Sequence, residues 1–164
     1  MNAANVELYF LRHGIAAEPD EWRGSDFDRP LTAEGRTRMG RESKSLSKLD
    51  LDLDCIITSP LVRAKQTAQI VADAMKMSDR LVEDARLGPN FAIELLADIL
   101  SERVKANAIM LVGHDPTMTK TIGRLVGGAR IDVKKGGLAL VRLTDLPSLN
   151  GELLWLAPPK LLIG

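Results

Sequence analysis

Val6-Glu7-Leu8-Tyr9-Phe10-Leu11 is an apolar run of strand length, and it passes without a break into Arg12-His13-Gly14. A nearly continuous apolar run suits a strand covered on both faces, as in a parallel sheet. A cation, an imidazole and a flexible residue therefore stand where strand gives way to loop. The pattern returns at Ile109-Met110-Leu111-Val112, which leads through Gly113 to His114, the only other histidine of the chain. In an open α/β sheet the ligand crevice lies outside the carboxyl ends of the strands, so residues far apart in sequence meet there.

Outward from these two runs, strands alternate with helices. The stretch from about Ile15 to Pro30 is rich in Asp, Glu, Gly and Pro and reads as a long loop beside the strand end. Its Trp22 either shapes the mouth of a site or a partner surface, or pins the loop to the body. Thr32 caps a helix running to about Lys48, with Glu34 favourably placed in its first turn. A strand is expected from Asp54 to Thr58. Ser59-Pro60 then reads as an N-cap followed by proline. Leu61, Ala64, Ala68, Val71 and Met75 form the core-facing stripe of the next helix, with Arg63 off that stripe near its start.

Leu81-Val82-Glu83 is a short strand, and Phe91, Leu95, Leu96, Ile99 and Leu100 mark an amphipathic helix. After the strand Ala108 to Val112, Asp115-Pro116 repeats the cap-and-proline signal. Met118, Ile122, Leu125 and Val126 mark a helix that Gly127-Gly128 ends. Beyond Gly136-Gly137, Leu138 to Leu143 and Leu153 to Ala157 form a hairpin around Pro147, Asn150 and Gly151. The expected fold is a three-layer α/β/α single domain spanning residues 1–164, its sheet mostly parallel with a C-terminal antiparallel hairpin.

With 164 residues, the chain buries one core without staples. Lys plus Arg equals Asp plus Glu at 22 each, which argues against the broad positive field of a nucleic-acid binder; any positive charge that matters is local. Cys55, the lone cysteine, lies in the apolar Cys55-Ile56-Ile57 and reads as core. The N-terminus lacks a secretory pattern and no run approaches the ~20 apolar residues of a bilayer span, so a cytoplasmic protein without a membrane partner is expected. Leu161-Leu162-Ile163 reads as a tail packed on the domain.

If the strands lie side by side, Arg12, His13, Arg63 and His114 converge. Guanidinium forks bind phosphate oxygens through parallel charge-assisted hydrogen bonds, and two helix N-termini add partial positive charge. An imidazole aimed at phosphorus displaces the leaving group and carries the phosphoryl group until water removes it. His13 is the better nucleophile, provided one nitrogen is unprotonated and the other donates to a fixed acceptor such as a backbone carbonyl. His114 then binds oxygen, as an imidazolium, and stabilises the transferring group. An isolated Arg-His-Gly arises often by chance, and a lone strand-end histidine is more often structural; the joint pattern is much harder to explain that way. A metal site is disfavoured because the histidines lack ligand spacing and Arg12 repels a cation. Ser59 lacks the Gly-x-Ser-x-Gly setting of a serine nucleophile.

Four ordered segments carry a resemblance: Leu11-Arg12-His13-Gly14, Arg29-Pro30-Leu31-Thr32-Ala33-Glu34-Gly35, Thr58-Ser59-Pro60-Leu61-Val62-Arg63-Ala64 and Val112-Gly113-His114-Asp115-Pro116. Together they resemble the histidine phosphatase, or phosphoglycerate mutase-like, superfamily and its compact bacterial phosphohistidine phosphatases of the SixA type, over nearly the whole chain. The resemblance implies His13 as the phosphorylated nucleophile and a phosphate pocket of Arg12, Gly14, Arg63 and His114, with no metal or organic cofactor. Asp115 stands where that branch often has asparagine, which weakens anion binding or serves proton transfer.

Larger relatives acting on phosphate esters carry an acid between the second arginine and second histidine. Glu83, Asp84 and Glu94 occupy the corresponding region, and Asp115 is a further candidate. Imidazole, with an ordinary pKa of about 6.5, leaves far more readily than an alkoxide, so a phosphohistidine substrate tolerates a missing acid. The short segment between Arg63 and His114 leaves an open crevice that suits a phosphorylated side chain on another protein. The leading expectation is a phosphatase of protein phosphohistidine, acting on a histidine-phosphotransfer or carrier domain and releasing inorganic phosphate. A small-molecule phosphomonoesterase or phosphoanhydride hydrolase is the alternative, and a non-catalytic module binding a phosphorylated partner is a third.

Overall fold

The structure, a computed structural model, describes residues 5–163. Six strands form one sheet: β1 (Val6–Arg12), β2 (Cys55–Thr58), β3 (Leu81–Glu83), β4 (Ala108–Gly113), β5 (Leu138–Asp145) and β6 (Asn150–Ala157), in the order β3-β2-β4-β1-β5-β6. The first four neighbours are parallel, and β5 and β6 add antiparallel strands beyond β1. Five helices cover the sheet: α1 (Ala33–Ser47), α2 (Val62–Ala74), α3 (Ile93–Ser101), α4 (Thr117–Leu125) and the short α5 (Pro159–Ile163).

Alternation along β1 sorts its side chains between two cores, because successive residues of a strand point to opposite faces. Leu8 and Phe10 join Ile109, Leu111 and the apolar faces of α3 and α4. Tyr9 and Leu11 join Met110, Val112 and the apolar faces of α1 and α2. Phe10, Leu8 and Leu11 are wholly buried, each contributing about 1.5–3 kcal/mol by removal from water. The expected three-layer α/β/α architecture is what forms.

The differences from expectation lie at element ends. β2 starts at Cys55, not Asp54, although the Asp54 N–H still donates to the Ala108 carbonyl at 2.8 Å and its carboxylate accepts from the backbone N–H groups of Asn107 and Ala108, tying it to the start of β4. Cys55 is only half-buried, at the margin of the core. Phe91 precedes α3, and Met75 and Val126 follow the ends of α2 and α4. The closing hairpin is longer than its apolar runs: Asn150 and Gly151 pair within β6, and the turn lies at Leu146–Leu149, where Leu149 takes a φ of 51°. The C-terminal tail packs through Leu162, while Leu161 stays exposed.

Ser59 does not cap α2. That helix begins at Val62, two residues beyond Pro60, after Leu61 in extended conformation. Similarly, α4 begins at Thr117 with Pro116 before it, although the Asp115 carboxylate still accepts from the N–H of Thr119 at 3.3 Å. Among the described residues no helix is long and apolar enough to cross a membrane.

Candidate active site

Sheet register brings the proposed site together. Arg12 lies opposite Gly113, and Thr58 opposite Val112, so β1, β4 and β2 end level with one another. His13, Ser59 and His114 therefore leave the same sheet edge side by side. Arg63 joins them from the first turn of α2. The rings of His13 and His114 lie 5.2 Å apart between centroids, tilted by 52°. Both rings are buried, as is the Arg63 side chain.

Nδ1 of His13 lies 2.7 Å from the carbonyl oxygen of Gly14. Donation to that carbonyl places the proton on Nδ1 and leaves Nε2 with a free lone pair. Burial pushes the His13 pKa down to about 3, against the Gly14 hydrogen bond and with help from the charges of Arg63 and Arg12. The imidazole is thus neutral at physiological pH. The loop that supplies this carbonyl is itself anchored, since the Gly14 N–H donates to Thr67 Oγ1 at 3.0 Å and the Thr67 hydroxyl donates to the Arg63 carbonyl at 2.8 Å. One threonine on α2 thereby ties the Arg12-His13-Gly14 loop to the helix that carries Arg63.

His114 Nε2 stands 2.6 Å from Ser59 Oγ. Ser59 Oγ already accepts from the N–H of Leu61 at 3.2 Å, so its hydroxyl proton is available for Nε2. When the hydroxyl donates, the ring carries its proton on Nδ1, a buried nitrogen with no partner; the other tautomer donates from Nε2 to the second lone pair of Oγ. Burial, reinforced by Arg63 and opposed by Asp26, lowers the His114 pKa to about 4. Burial therefore favours a neutral ring over the expected imidazolium.

Each arginine meets a carboxylate. Arg12 Nη1 donates to the carbonyl of Val133 at 2.9 Å and lies 3.2 Å from Asp115. Arg63 donates through Nη1 to the Asp26 carbonyl at 2.8 Å and through Nη2 to the Asp26 carboxylate at 3.2 Å. Asp26 comes from the long loop after β1 and also pairs with Arg29 at 3.0 Å. Burial opposes its ionisation, but the bonds from Arg29 and Arg63 hold its pKa below the ordinary value. Trp22 does not reach this site; it donates to the Ser25 carbonyl at 2.9 Å and pins its own loop.

Among the described residues, four buried side-chain atoms lack a hydrogen-bond partner: Arg12 Nε, Arg63 Nε, His114 Nδ1 and Glu42 Oε2. Three of them, two guanidinium N–H groups and one imidazole nitrogen, belong to the residues that surround His13. Leaving a buried donor unsatisfied costs about 1–3 kcal/mol, so the concentration of three in one place marks a site built for an acceptor-rich anion. No group of three His, Cys, Asp or Glu side chains gathers at metal-binding geometry among the described residues.

The four carboxyls singled out as acids are all engaged by cations. Glu83 lies 2.9 Å from Lys65, Asp84 2.7 Å from Arg86, Glu94 3.2 Å from Arg124, and Asp115 3.2 Å from Arg12. Hydrogen bonding from Arg86 holds Asp84 below its ordinary pKa. Sequence reasoning missed Asp26, Thr67 and the contact of Ser59 with His114. Thr67 left a signal, because it is a polar residue one turn after Arg63 beside an otherwise apolar stripe. Asp26 left none in a loop rich in acids.

The family model for the histidine phosphatase superfamily (branch 1) matches residues 8–88. An uncharacterized protein of Picosynechococcus sp. is 34% identical over 166 residues, covering 96% of this chain and 99% of that protein. The phosphohistidine phosphatase SixA of Escherichia coli is 24% identical over 157 residues, 94% of each chain. The structure of the protein histidine phosphatase SixA complexed with tungstate superposes with a TM-score of 0.84 at 23% identity, covering 94% of this chain and 98% of that one. The same fold occurs at 20% and 16% identity in an alpha-ribazole phosphatase from Shigella flexneri and a phosphoglycerate mutase from Bacillus anthracis, with TM-scores of 0.72 and 0.77. The chain belongs to the histidine phosphatase superfamily and shares the compact architecture of its SixA-like branch.

Proposed function

We propose that this phosphatase hydrolyses phosphohistidine on a protein, a histidine-phosphotransfer or carrier domain, through a covalent intermediate at His13. The observation that carries the reading is the ring of unpartnered N–H donors around an imidazole whose other nitrogen is fixed by a carbonyl. Arg12, Arg63 and His114 take the equatorial oxygens of the phosphoryl group, with Gly14 beside it. His13 Nε2 attacks phosphorus as the phosphorus–nitrogen bond of the substrate breaks, and the substrate, already protonated on its far ring nitrogen, leaves as neutral imidazole. Water then attacks phospho-His13, releasing inorganic phosphate and restoring the lone pair. The donors act on charge that develops on oxygen during transfer, and they are in place before the reaction starts.

The choice of leaving group follows from the carboxyls. An ester needs a proton donor for its alkoxide, and each of the candidate acids here is paired with a cation. A departing imidazole, with an ordinary pKa of about 6.5, makes no such demand. The test is phosphate release from a phosphohistidine-bearing carrier protein beside a panel of phosphate esters and anhydrides. Fast release confined to phosphohistidine is expected. Preferential hydrolysis of an ester or anhydride would replace this reading with small-molecule metabolism, and tight phosphate binding without turnover would replace it with a binding module.

A further inference from the structure

The chain is neutral overall, with 22 basic and 22 acidic residues, yet one cavity beside the proposed phosphate site is lined by cations alone among its charged residues. It has a volume of about 560 Å³ and gathers Arg12, Arg38, Lys134, Lys135 and Lys160 around Ile15 and two prolines. These cations come from four separate parts of the fold: the end of β1, the middle of α1, the segment before β5 and the start of α5. Arg12 belongs to both places, so the cavity adjoins the proposed phosphate site.

Some of that charge is already compensated. Arg12 pairs with Asp115 at 3.2 Å, Arg38 with the exposed Glu34 at 3.8 Å, and Lys134 with Asp132 at 2.6 Å. Lys135 and Lys160 make no ion pair among the described residues and are exposed. A compact anion such as a second phosphate is held by a buried fork, as Arg63 is placed to do. Spread, mobile ammonium groups on the rim of an open cavity instead match several carboxylates distributed over a surface.

We infer that this cavity receives acidic side chains flanking the phosphohistidine of the protein substrate and so sets which phosphoprotein is accepted. The inference rests on the phosphohistidine reading. Its ligand is a run of Asp or Glu carboxylates within one or two residues' reach of the scissile phosphorus–nitrogen bond. Because the contacts are exposed, they act on encounter and on KM, leave the chemical step untouched, and weaken with salt.

The experiment compares three substrates: a synthetic phosphohistidine peptide flanked by Glu, the same peptide flanked by Ser, and free phosphohistidine. Each is assayed with the unaltered protein and with the Lys135→Ala/Lys160→Ala double variant, in low salt and at about 0.5 M salt. The Glu-flanked peptide is expected to show a KM about 3- to 10-fold below that of the Ser-flanked one, the scale of one or two exposed ion pairs, with equal kcat. The double variant and high salt each remove that advantage; in the double variant, cleavage of free phosphohistidine and inhibition by inorganic phosphate stay as they were. Equal KM for the two peptides overturns the inference. So does a double variant that slows all three substrates alike or binds inorganic phosphate more weakly, because the lysines then serve the phosphate itself. Failure of the unaltered protein to release phosphate from any of the three overturns the phosphohistidine reading beneath it.

Discussion

Acidification should destabilise this protein through His13, and by an amount that the geometry sets. The ring is 6% exposed, and burial holds its folded pKa near 3, whereas in the unfolded chain it titrates at its ordinary value near 6.5. A histidine depressed in this way contributes stability that is fully present above pH 6.5 and is lost as pH falls toward 3, because only the unfolded chain takes up the proton. Each pH unit in that window costs about 1.4 kcal/mol, so from pH 7.5 to 4.5 His13 alone removes about 2–3 kcal/mol. The measurement is urea unfolding at pH 7.5 and pH 4.5 for the unaltered protein and for His13→Asn. Asparagine keeps a donor near the Nδ1 position, and carboxylate titration common to both proteins cancels in the difference. The unaltered protein is expected to lose about 2–3 kcal/mol more than the variant, a midpoint difference of about 1 M urea. Equal losses would refute the neutral, buried imidazole and with it the argument for a ready lone pair at physiological pH.

Arg63→Lys should lower kcat/KM about 10- to 100-fold in steady-state assays, since an ammonium keeps the charge but not the two-point fork that now spans the Asp26 carbonyl and carboxylate. Glu42→Gln should be neutral at pH 4 and stabilising at pH 8. Burial raises the Glu42 pKa to about 7, so its neutral form favours folding below pH 4.5 and that contribution is lost as pH rises, costing at most about 3 kcal/mol by pH 8; thermal unfolding at the two pH values checks it. Gly35→Ala should be destabilised by about 1–3 kcal/mol and unfold at a lower temperature, because the added Cβ would run into the Ile15 carbonyl oxygen in the loop after His13.

The sheet was legible because its strands are buried on both faces and read as apolar runs, with Leu8 and Phe10 serving one core and Tyr9 and Leu11 the other. The two histidines were legible for the same reason, since each terminates such a run and the parallel register makes the ends level. What stayed hidden depends on contacts between segments. Ser59 has the sequence context of a helix cap, and only the approach of β4 to β2 puts His114 within 2.6 Å of its hydroxyl. Asp26 is one acid among several in its loop, and nothing local aims it at Arg63, 37 residues away. The ionisation of His114 was misjudged from sequence because burial, invisible there, outweighs the pull of a nearby carboxylate. Hairpin length was underestimated because Asn150 and Gly151 are turn formers by composition but pair with β5 in fact.

The most direct test of the central claim is rapid acid-free quenching of the protein during its first turnover of radiolabelled phosphohistidine substrate, followed by mapping of the labelled residue. The account predicts a transient, acid-labile and alkali-stable phosphoryl group on His13, absent from His13→Asn, that decays at the rate of phosphate release. Turnover with no phosphorylated His13, or undiminished turnover by His13→Asn, would contradict it.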